Sequence, residues 1–435
     1  MPATLSANRD GSLTVCLTFH PGASMMESET NLQAALNEAG SVATGHCLER
    51  FDTDGLPLSM GGQKWTSKGC LPKTYQTPYG EVEIRRHVYQ TAQGGETFCP
   101  LEGAARIVRT ATPLFARQVG HKFGHMNSTA AQQDLLQHGR VIARSYLQTL
   151  AADVASIALE KEPAWSYLPL AAAGETVRTI SFGVDGTCAL FCEEGYKQVM
   201  VGTIALYNPE GERLSTVNVA AVPEAGKAAF LAKMDREVAQ MTARFPQAQV
   251  VAIADGAHDH WPWLEARSLW QVVDFWHVSE YLAAAAAAMA RGAAAQELWL
   301  AESCSRLKHE SGAAAALLAE MEAAQIGAKG SARKALEKAI SYFRNHQGRM
   351  NYALHEAMHL PIGSGVTEAA CKSVVKERMC GSGMKWTSFG AQHVLALRTL
   401  IKSDGRWAQF WDKITQFGFC QLTAPHPARQ GLTPR

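Results

Sequence analysis

Apolar and polar residues follow a strand-like pattern in five runs in the middle of the chain. The runs are TVRTISFGVDG (176–186), QVMVGTIALYN (198–208), ERLSTVNVAAV (212–222), AQVVAIAD (248–255) and LWQVVDF (269–275). Turn-like Glu-Glu-Gly and Pro-Glu-Gly separate the first three runs, which are therefore expected to be antiparallel neighbours. A helical period occupies residues 226–243, between the third and fourth runs. The pattern predicts a mixed α/β domain.

The order of these elements narrows the fold class. Three antiparallel strands, a helix and two further strands with helices form the order of a ribonuclease-H-like α/β domain. We expect the first part of this core over 176–277 and its C-terminal helical part over 359–420. The Ala-rich block 278–358 has a helical pattern throughout and is predicted to be an all-α insertion.

The residues before this core divide into three predicted parts. Residues 1–45 form a polar N-terminal arm with one helix near 24–40, and 46–106 form a β-rich domain. Residues 107–162 have a helical period that His138-Gly139 interrupts. A linker is expected over 160–177, which is rich in Pro, Ala and Gly, and a disordered tail over 421–435.

The two helices around Gly139 have the outline of a helix-turn-helix. Ser128 or Thr129 is placed to cap the first helix, and the second would present Arg140, Arg144 and Tyr146 to DNA near its start. Two short helices around a glycine also occur in all-α domains that bind no DNA, so both interpretations stay open.

Charge is unevenly distributed along a chain whose formal net charge is only +1. Residues 328–406 contain 13 Lys or Arg and 5 Asp or Glu, a net charge of +8, and the first 327 residues carry about −9. A polyanion responds to local positive potential rather than to the total. The basic stretch indicates a nucleic-acid partner, with a solvated helical face as the alternative.

Targeting signals and metal-binding spacings are weak in this sequence. The amino terminus has no cationic region leading into an apolar one, and LAAAAAAMA is too short to span a bilayer, so we expect a cytoplasmic protein without a membrane partner.

Ten scattered cysteines indicate reduced thiols. A zinc site among Cys47, Cys70 and Cys99, with His46 and His87, is conceivable, but no C-x-x-C pair occurs and small core residues are the simpler interpretation.

Three carboxylates stand where a metal site would need them. Asp185 and Asp255 each follow a run of apolar residues and precede a glycine, so each is expected at a strand end, although Asp-Gly is also common turn chemistry. Glu368 lies on a later helix expected to pack on the same sheet. Mg²⁺ prefers carboxylates, and two ions about 3.5–4 Å apart can assist phosphodiester cleavage. His258 and His260, two residues apart, are weaker ligand candidates.

Glu368 is surrounded by cations in LPIGSGVTEAACKSVVKERM. It lies one helical turn before Lys372, but an exposed pair of this kind contributes only about 0.3–0.5 kcal/mol. We expect instead that Glu368 holds a metal ion while Lys372, Lys376, Arg378 and Lys385 bind DNA phosphates.

Longer motifs resemble a known family. GVDGTCALFCEEGYKQVMVGTIALY, IADGAHDHW, DFWHVSEYL, LKHE, ISYFRNHQGRMNY, LPIGSGVTEAACKSVVKERMCGSGMKW and GRWAQFW look like the ISKra-type insertion-sequence transposases. That family belongs to the DDE superfamily, which has a ribonuclease-H-like core and includes the Mutator-like enzymes. The resemblance covers about residues 47–415, because QKWTSKG and KTYQTPYGEVEI also fit.

The resemblance implies roles for particular residues. Asp185, Asp255 and Glu368 would be the catalytic, metal-binding triad, and Asp274-Phe-Trp-His277 would match the D-x-x-H element of related transposases. His277 would then hydrogen-bond a phosphate or the leaving oxygen, with Asp274 fixing its tautomer. A buried histidine bonded within the fold is the alternative.

The sequence and the resemblance together predict a bacterial, nucleoid-associated DNA transposase. It would bind double-stranded transposon ends and target DNA as a homodimer or higher oligomer, and use two Mg²⁺ ions, for which Mn²⁺ would substitute. One alternative is another ribonuclease-H-like nuclease, such as a junction resolvase. A second is a non-catalytic DNA-binding regulator, and a hydrolase of small phosphorylated substrates fits least.

Overall fold

The computed structural model describes residues 3–170, 174–192, 194–223, 227–257 and 259–419. The fold is mixed α/β, with 51% helix, 22% strand and several sheets. The chain folds as two units: Met1–Trp165 with Ala408–Arg435, and Ser166–Trp407. The division at residue 165 falls within the stretch expected to be a linker, and the tail expected to be disordered lies outside the described residues. Within the described ranges, no helix has the length and apolarity needed to cross a bilayer.

The first unit contains two antiparallel sheets and five helices before residue 165. Its elements are β1 (Thr4–Ala7), β2 (Leu13–Cys16), α1 (Met25–Glu49), β3 (Leu58–Met60), β4 (Gln63–Gln76), β5 (Glu81–Thr91), β6 (Gly94–Phe98), α2 (Pro100–Ala104), α3 (Pro113–His125), α4 (Ser128–Gln137) and α5 (Arg144–Lys161). Strands β1 and β2 pair with each other, and the second sheet has the order β3-β4-β5-β6. The predicted β-rich region therefore contains one four-stranded sheet.

The start of the chain is more ordered than expected. The predicted arm contains the β1–β2 hairpin, whose turn uses Gly11 in the left-handed region (φ 82°). The helix expected near 24–40 begins after Ser24, whose side chain caps the Glu27 N–H, and continues to Glu49. No proline interrupts this stretch, and Gly40 and Gly45 lie so close to Tyr79 and Val82 that a Cβ at either position would clash. Packing thus outweighs the low helix propensity of these glycines, and the helix extends nine residues beyond the expected end.

The second unit is built on a five-stranded mixed sheet. Its strands are β7 (Thr179–Phe191), β8 (Gly195–Tyr207), β9 (Arg213–Ala221), β10 (Gln249–Ala254) and β11 (Trp270–Val273), in the order β11-β10-β7-β8-β9. Strands β7, β8 and β9 are antiparallel, whereas β10 pairs parallel with both β7 and β11. Each expected strand is present, although β7 continues five residues past the expected end at residue 186.

Helices pack on both faces of this sheet. The helices of the second unit are α6 (Ala228–Arg244), α7 (Trp261–Glu265), α8 (Phe275–Met289), α9 (Ala293–His309), α10 (Ala313–Gly327), α11 (Gly330–His346), α12 (Tyr352–Ala357), α13 (Gly365–Ala370), α14 (Glu377–Met379) and α15 (Ser388–Lys402). A last helix, α16 (Arg406–Phe417), begins at the unit boundary, and its residues from Ala408 on belong to the first unit. Met200 and Ile204 of β8 belong to the core beneath α6, and Val199 and Val201 belong to the core beneath α15. Burial on both faces explains why β8 is almost continuously apolar.

The region expected to be an all-α insertion is helical. Helices α9 to α12, with a 3₁₀ turn at Gln347–Arg349, occupy most of it, and α8 enters it from Phe275. Its Leu317, Leu336 and Phe343 are fully buried and belong to the same core as strands β7, β10 and β11. The insertion is therefore packed against the second unit's sheet through a shared apolar core.

A π-helical turn, Cys371–Lys376, joins α13 to α14. Such turns leave backbone carbonyls without a regular helical partner, and they are frequent at functional sites. The buried Arg398 of α15 donates from Nε to the Val374 carbonyl oxygen at 2.6 Å and from its Nη2 to that of Ser373. The guanidinium thus satisfies carbonyls in the segment that follows Glu368.

Candidate active site

Strand register brings Asp185 and Asp255 to the same level of the sheet. Ala252 of β10 pairs with Phe182 of β7. Asp185 lies three residues after Phe182 within β7, and Asp255 lies three residues after Ala252, just beyond the end of β10. Because β10 ends at Ala254 while β7 continues to Phe191, the edge of β7 beside Asp185 is left open. Asp185 is therefore inside a long strand, not at a strand end as predicted, and the end of the neighbouring strand creates the opening.

Glu368 reaches this opening because α13 packs closely on β7 and β8. The Thr367 hydroxyl lies 2.7 Å from that of Thr203 in β8. A Cβ on Gly183 would lie 2.5 Å from the Ile253 carbonyl oxygen and 2.8 Å from the Thr367 hydroxyl. Only a residue without a side chain fits at Gly183, and this close approach places Glu368 beside the two aspartates.

Gly183→Ala is expected to disrupt the site. The new methyl group would push against the backbone that leads to Asp255 and against the helix that carries Glu368. Overpacking of this kind costs about 1–3 kcal/mol of folding free energy. Urea unfolding measures this loss.

Gly365→Ala is the matched control, because a Cβ there would have no atom within 4 Å. Equal free energies of unfolding for the two alanine variants would contradict the tight packing at Gly183.

The three acids line one cavity. It has a volume of about 200 Å³ and is lined by Val184, Asp185, Asp255, Trp276, His277, Glu280, Ser364, Thr367 and Glu368. A wider cavity of about 660 Å³ shares Asp185 and Glu368 and is also lined by Lys372 and Lys376. Acidic side chains thus line both cavities, whereas Lys372 and Lys376, together with Glu377, line the wider one.

A buried aspartate organises the helix ends around the cavity. Asp274 is fully buried, and its Oδ2 accepts hydrogen bonds from the His277 backbone N–H (2.8 Å) and lies 2.7 Å from His277 Nδ1. Its Oδ1 accepts from the Ser364 N–H at 2.6 Å. The Ser364 hydroxyl donates to Glu368 Oε1 at 2.8 Å. Asp274 therefore connects the start of α8 with the start of α13 and, through Ser364, helps to orient Glu368.

His277 is expected to be cationic at neutral pH. The hydrogen bond with Asp274 raises the pKa of His277 to about 9, against the opposing effect of burial, and the charges of Asp274, Glu368 and Asp255 add to the increase. Burial pushes the pKa of Asp274 upward, but hydrogen bonds from His277 and Ser364 outweigh it, so the pKa of Asp274 is lowered. Asp274 and His277 therefore form an ion pair beside the carboxylates.

This ion pair predicts a pH-dependent stability for the metal-free protein. Because the pKa of His277 rises from 6.5 to about 9 on folding, its contribution is complete below pH 6.5 and is lost as the pH rises through 9. Between pH 7 and 10, the free energy of unfolding of the wild type should fall relative to that of His277→Gln. Urea unfolding in EDTA measures the difference. Parallel pH profiles for the two proteins would contradict the prediction.

The donor set fits hard divalent cations. Among the residues that the structure describes, Asp274, His277 and Glu368 have ligand atoms all within 4.8 Å of one another. Asp185, Asp255 and Glu368 do not form so tight a group, although they line the same cavity. Carboxylate oxygens are the ligands that hard divalent cations prefer.

Glu368 is not paired with Lys372. Its carboxylate contacts the Ser364 hydroxyl and lies 3.8 Å from His277 Nδ1. Within the described parts of the chain, neither Lys372 nor Lys376 has an ion-pair partner, and both side chains are exposed. Helical pairing between Glu368 and Lys372 therefore does not explain the cluster of charges, and the lysines are accessible to an anion.

The other cations predicted to bind DNA have different surroundings. Lys385 and Arg144 are exposed. Arg378 is buried, with its guanidinium carbon 5.1 Å from the centre of the Trp386 ring, and burial lowers its pKa to about 10. Arg140 is also buried and donates to the Thr77 carbonyl oxygen. In this structure Arg378 and Arg140 stabilise the fold and do not present their charges to a phosphate.

The predicted helix-turn-helix region contains two packed helices with a break between them. Gly139 adopts the left-handed conformation (φ 73°), as the break requires. Asn127, and not Ser128 or Thr129, caps α4. The Tyr146 hydroxyl lies 2.9 Å from that of Thr110, so this partly buried side chain contacts its own unit. Of Arg140, Arg144 and Tyr146, which were predicted to contact DNA, Arg144 is therefore the residue whose side chain is exposed to solvent.

Three residues of the site were missed in the sequence. Ser364 precedes α13 and lies four residues before Glu368, a spacing that could have indicated their hydrogen bond. Cys371 lines the wider cavity, and its thiol donates to Asp185 Oδ2 at 3.4 Å. Burial and the charge of Asp185 raise the pKa of Cys371, so it remains a neutral donor. Glu280, one turn after Trp276, contributes a fourth carboxylate to the cavity wall.

The chain matches no protein-family model and no curated protein at a significant level. Its function is therefore inferred from the chemistry of the cavity and from the sequence motifs.

Proposed function

We propose that the protein is a DNA transposase that cuts phosphodiester bonds at insertion-sequence ends and joins the 3′ ends to target DNA. The observation that carries this proposal is the convergence of Asp185, Asp255 and Glu368 on one cavity from β7, the end of β10 and α13. The resemblance to ISKra-type transposases assigns the catalytic roles to the same three residues.

The sheet topology is consistent with a ribonuclease-H-like core. Three antiparallel strands come first, and β10 and β11 then extend the sheet in parallel with β7 on its other side. The first acid lies on the central strand β7, and the second follows the adjacent parallel strand. In open α/β sheets, ligands bind beyond the carboxyl ends of the strands, where neighbouring strands diverge.

The chain's own residues would divide the work at this cavity. Asp185, Asp255 and Glu368 would hold two Mg²⁺ or Mn²⁺ ions. When bound, such ions supply positive charge to the phosphate and make the attacking oxygen easier to deprotonate. The imidazolium of His277, held by Asp274, would donate a hydrogen bond to a phosphate oxygen or to the leaving oxygen. Ser364 would keep Glu368 in its orientation.

DNA binding would use surfaces outside the acidic centre. Lys372 and Lys376 would contact the phosphates next to the cleaved bond, and Lys385 would extend this surface. Helices α4 and α5 would act as a helix-turn-helix that binds the terminal repeats, with Arg144 facing DNA. Two ends must be processed together, so at least a dimer would assemble on DNA. This function would place the protein at the bacterial nucleoid.

The decisive experiment combines the full chain, Mg²⁺ and DNA that carries the two ends of the protein's own element. Nicks at the element ends, and joined products when pre-cut ends are supplied with target DNA, are the expected result. Binding should weaken steeply with added salt, because phosphate contacts release counterions.

Branched DNA and an Asp185→Ala variant, added to this experiment, separate the rival functions. Cleavage of branched DNA without joined products would indicate a resolvase-type nuclease. Specific binding without cleavage, with Asp185→Ala leaving the biological effect intact, would indicate a non-catalytic regulator. Either result would overturn the proposal.

A further inference from the structure

We propose that the first unit contains a zinc site formed by Asp52, Cys70 and His87. These residues come from a loop after α1, from β4 and from β5, and their ligand atoms all lie within 4.8 Å of one another. The site lies in a different unit from the acidic cavity. It is therefore independent of the proposed function.

Strand pairing sets two of the ligands side by side. Cys70 of β4 pairs directly with His87 of β5. The register of the two strands shifts between Ser67 and Cys70, and Gly69 adopts a φ of 110° in this irregular stretch. A bulge redirects the side chain that follows it. The regular ladder resumes at the Cys70–His87 pair, and directly opposed residues project from the same face of a sheet, so this register sets the thiol and the imidazole side by side.

Asp52 lies where a third ligand would be needed. Its carboxylate accepts hydrogen bonds from the His87 backbone N–H, and Oδ2 lies 2.9 Å from His87 Nδ1. In a tetrahedral zinc site with bonds of about 2.0–2.1 Å, two N or O ligand atoms are about 3.3 Å apart. A small outward shift of the two side chains would therefore let an ion replace the shared proton.

The types of donor select the metal. Thiolate and imidazole ligands favour zinc over Mg²⁺ or Ca²⁺, which prefer oxygen. All three residues are only half-buried, so an ion can enter from solvent. Three protein ligands leave the fourth position of a tetrahedral zinc for water. Binding would release the thiol proton of Cys70 and place the N–H of the neutral His87 imidazole on Nε2, and it would tie the segment after α1 to the β4–β5 pair.

The cysteines grouped in the sequence are not together in this site. Cys47 is exposed on α1, and Cys99 is buried at the start of α2. Burial raises the pKa of Cys99, which favours the uncoordinated thiol. Of the three cysteines considered, Cys70 alone belongs to the group described here, and Asp52 takes a place that cysteine spacing could not indicate.

The test uses the full chain, purified without affinity tags that bind metal. We expect about one zinc per chain by elemental analysis. After zinc removal, one equivalent of Co²⁺ should produce thiolate-to-metal absorption and visible bands of a tetrahedral site. Cys70→Ser and His87→Gln should each weaken Co²⁺ binding by at least tenfold. Cys47→Ser and His46→Gln are matched controls from the same unit and should bind Co²⁺ as the wild type does.

X-ray absorption at the zinc edge of the wild-type protein provides a second measurement if a variant fails to fold. The expected result is one sulfur near 2.3 Å with the remaining ligands N or O near 2.0–2.1 Å. A shell of several sulfurs, no Co²⁺ spectrum, or unchanged affinity in Cys70→Ser would overturn the proposal.

Discussion

Asp255→Asn is expected to reduce Mg²⁺-dependent cleavage of element-end DNA by about 10³-fold or more. The amide keeps the shape of the side chain but removes the charge that would hold the ions between β7 and β10. Metal ions stabilise the transition state of phosphate displacement by several kcal/mol, and each 1.36 kcal/mol corresponds to a factor of ten in rate. Single-turnover nicking measures this loss directly.

Binding should respond in the opposite direction from cleavage. Asp255→Asn removes one negative charge from a cavity that must accept a phosphate, so its DNA affinity in the absence of metal should equal or exceed that of the wild type. This combination of intact binding and lost cleavage separates a chemical defect from an unfolded protein.

Asp259→Asn is the matched control for Asp255→Asn. This exposed carboxylate lies four residues further on and pairs with Lys227 at 2.5 Å. Its cleavage rate should stay within about twofold of the wild type, because exposed pairs contribute little. If Asp255→Asn cleaved as well as Asp259→Asn, the assignment of the acids would be wrong.

Asp274→Asn is expected to impair both stability and activity. The buried carboxylate accepts hydrogen bonds from the backbone N–H groups of His277 and Ser364 and binds the His277 imidazolium. An asparagine has only one acceptor oxygen, so its amide N–H groups would face one of these donors. An unsatisfied buried donor costs about 1–3 kcal/mol. The pKa of His277 would fall, and the starts of α8 and α13 would move apart. A nicking rate lower by about 10²-fold is expected from the misplaced Glu368.

Ser364→Ala separates the two effects of Asp274→Asn. It removes only the hydroxyl that donates to Glu368 and keeps the backbone N–H that donates to Asp274. Its free energy of unfolding should change by no more than about 1 kcal/mol, while its requirement for Mg²⁺ in nicking should rise. An Asp274→Asn protein that unfolds at the same urea concentration as Ser364→Ala would show that Asp274 is not the organising residue.

The sheet of the second unit could be predicted from the sequence, because buried strands leave a clear pattern of apolar residues. All five strands were expected, with β8 and β10 visible as apolar runs. The register between the strands could not be predicted, because the pattern within one strand does not show which residues of another strand it pairs with. The position of Asp185 inside β7 therefore appeared only in the structure, as did the role of Gly183, which depends on Thr367 in a distant part of the chain.

Cations were the least predictable part of the candidate site. A charged residue beside a helix terminus or turn suggests a solvent-facing group, yet Arg378 and Arg140 are buried against aromatic rings and carbonyl groups. Long side chains can bury their stems and their charged ends when partners are available. Thr77 lies 63 residues from Arg140 along the chain, and Trp386 follows Arg378 only after the turn that ends α14, so sequence spacing does not indicate either contact.

The guanidinium of Arg398 holds the π turn that follows the helix of Glu368. For the π turn to relax into a regular α-helix, this buried cation would first have to release the carbonyls of Ser373 and Val374 within an apolar core. Such a relaxation would rotate every side chain beyond Cys371, including Lys372 and Lys376, around the helix axis. The direction in which the two lysines point is thus fixed by a residue on the far side of their helix, twenty-two or more positions later in the chain.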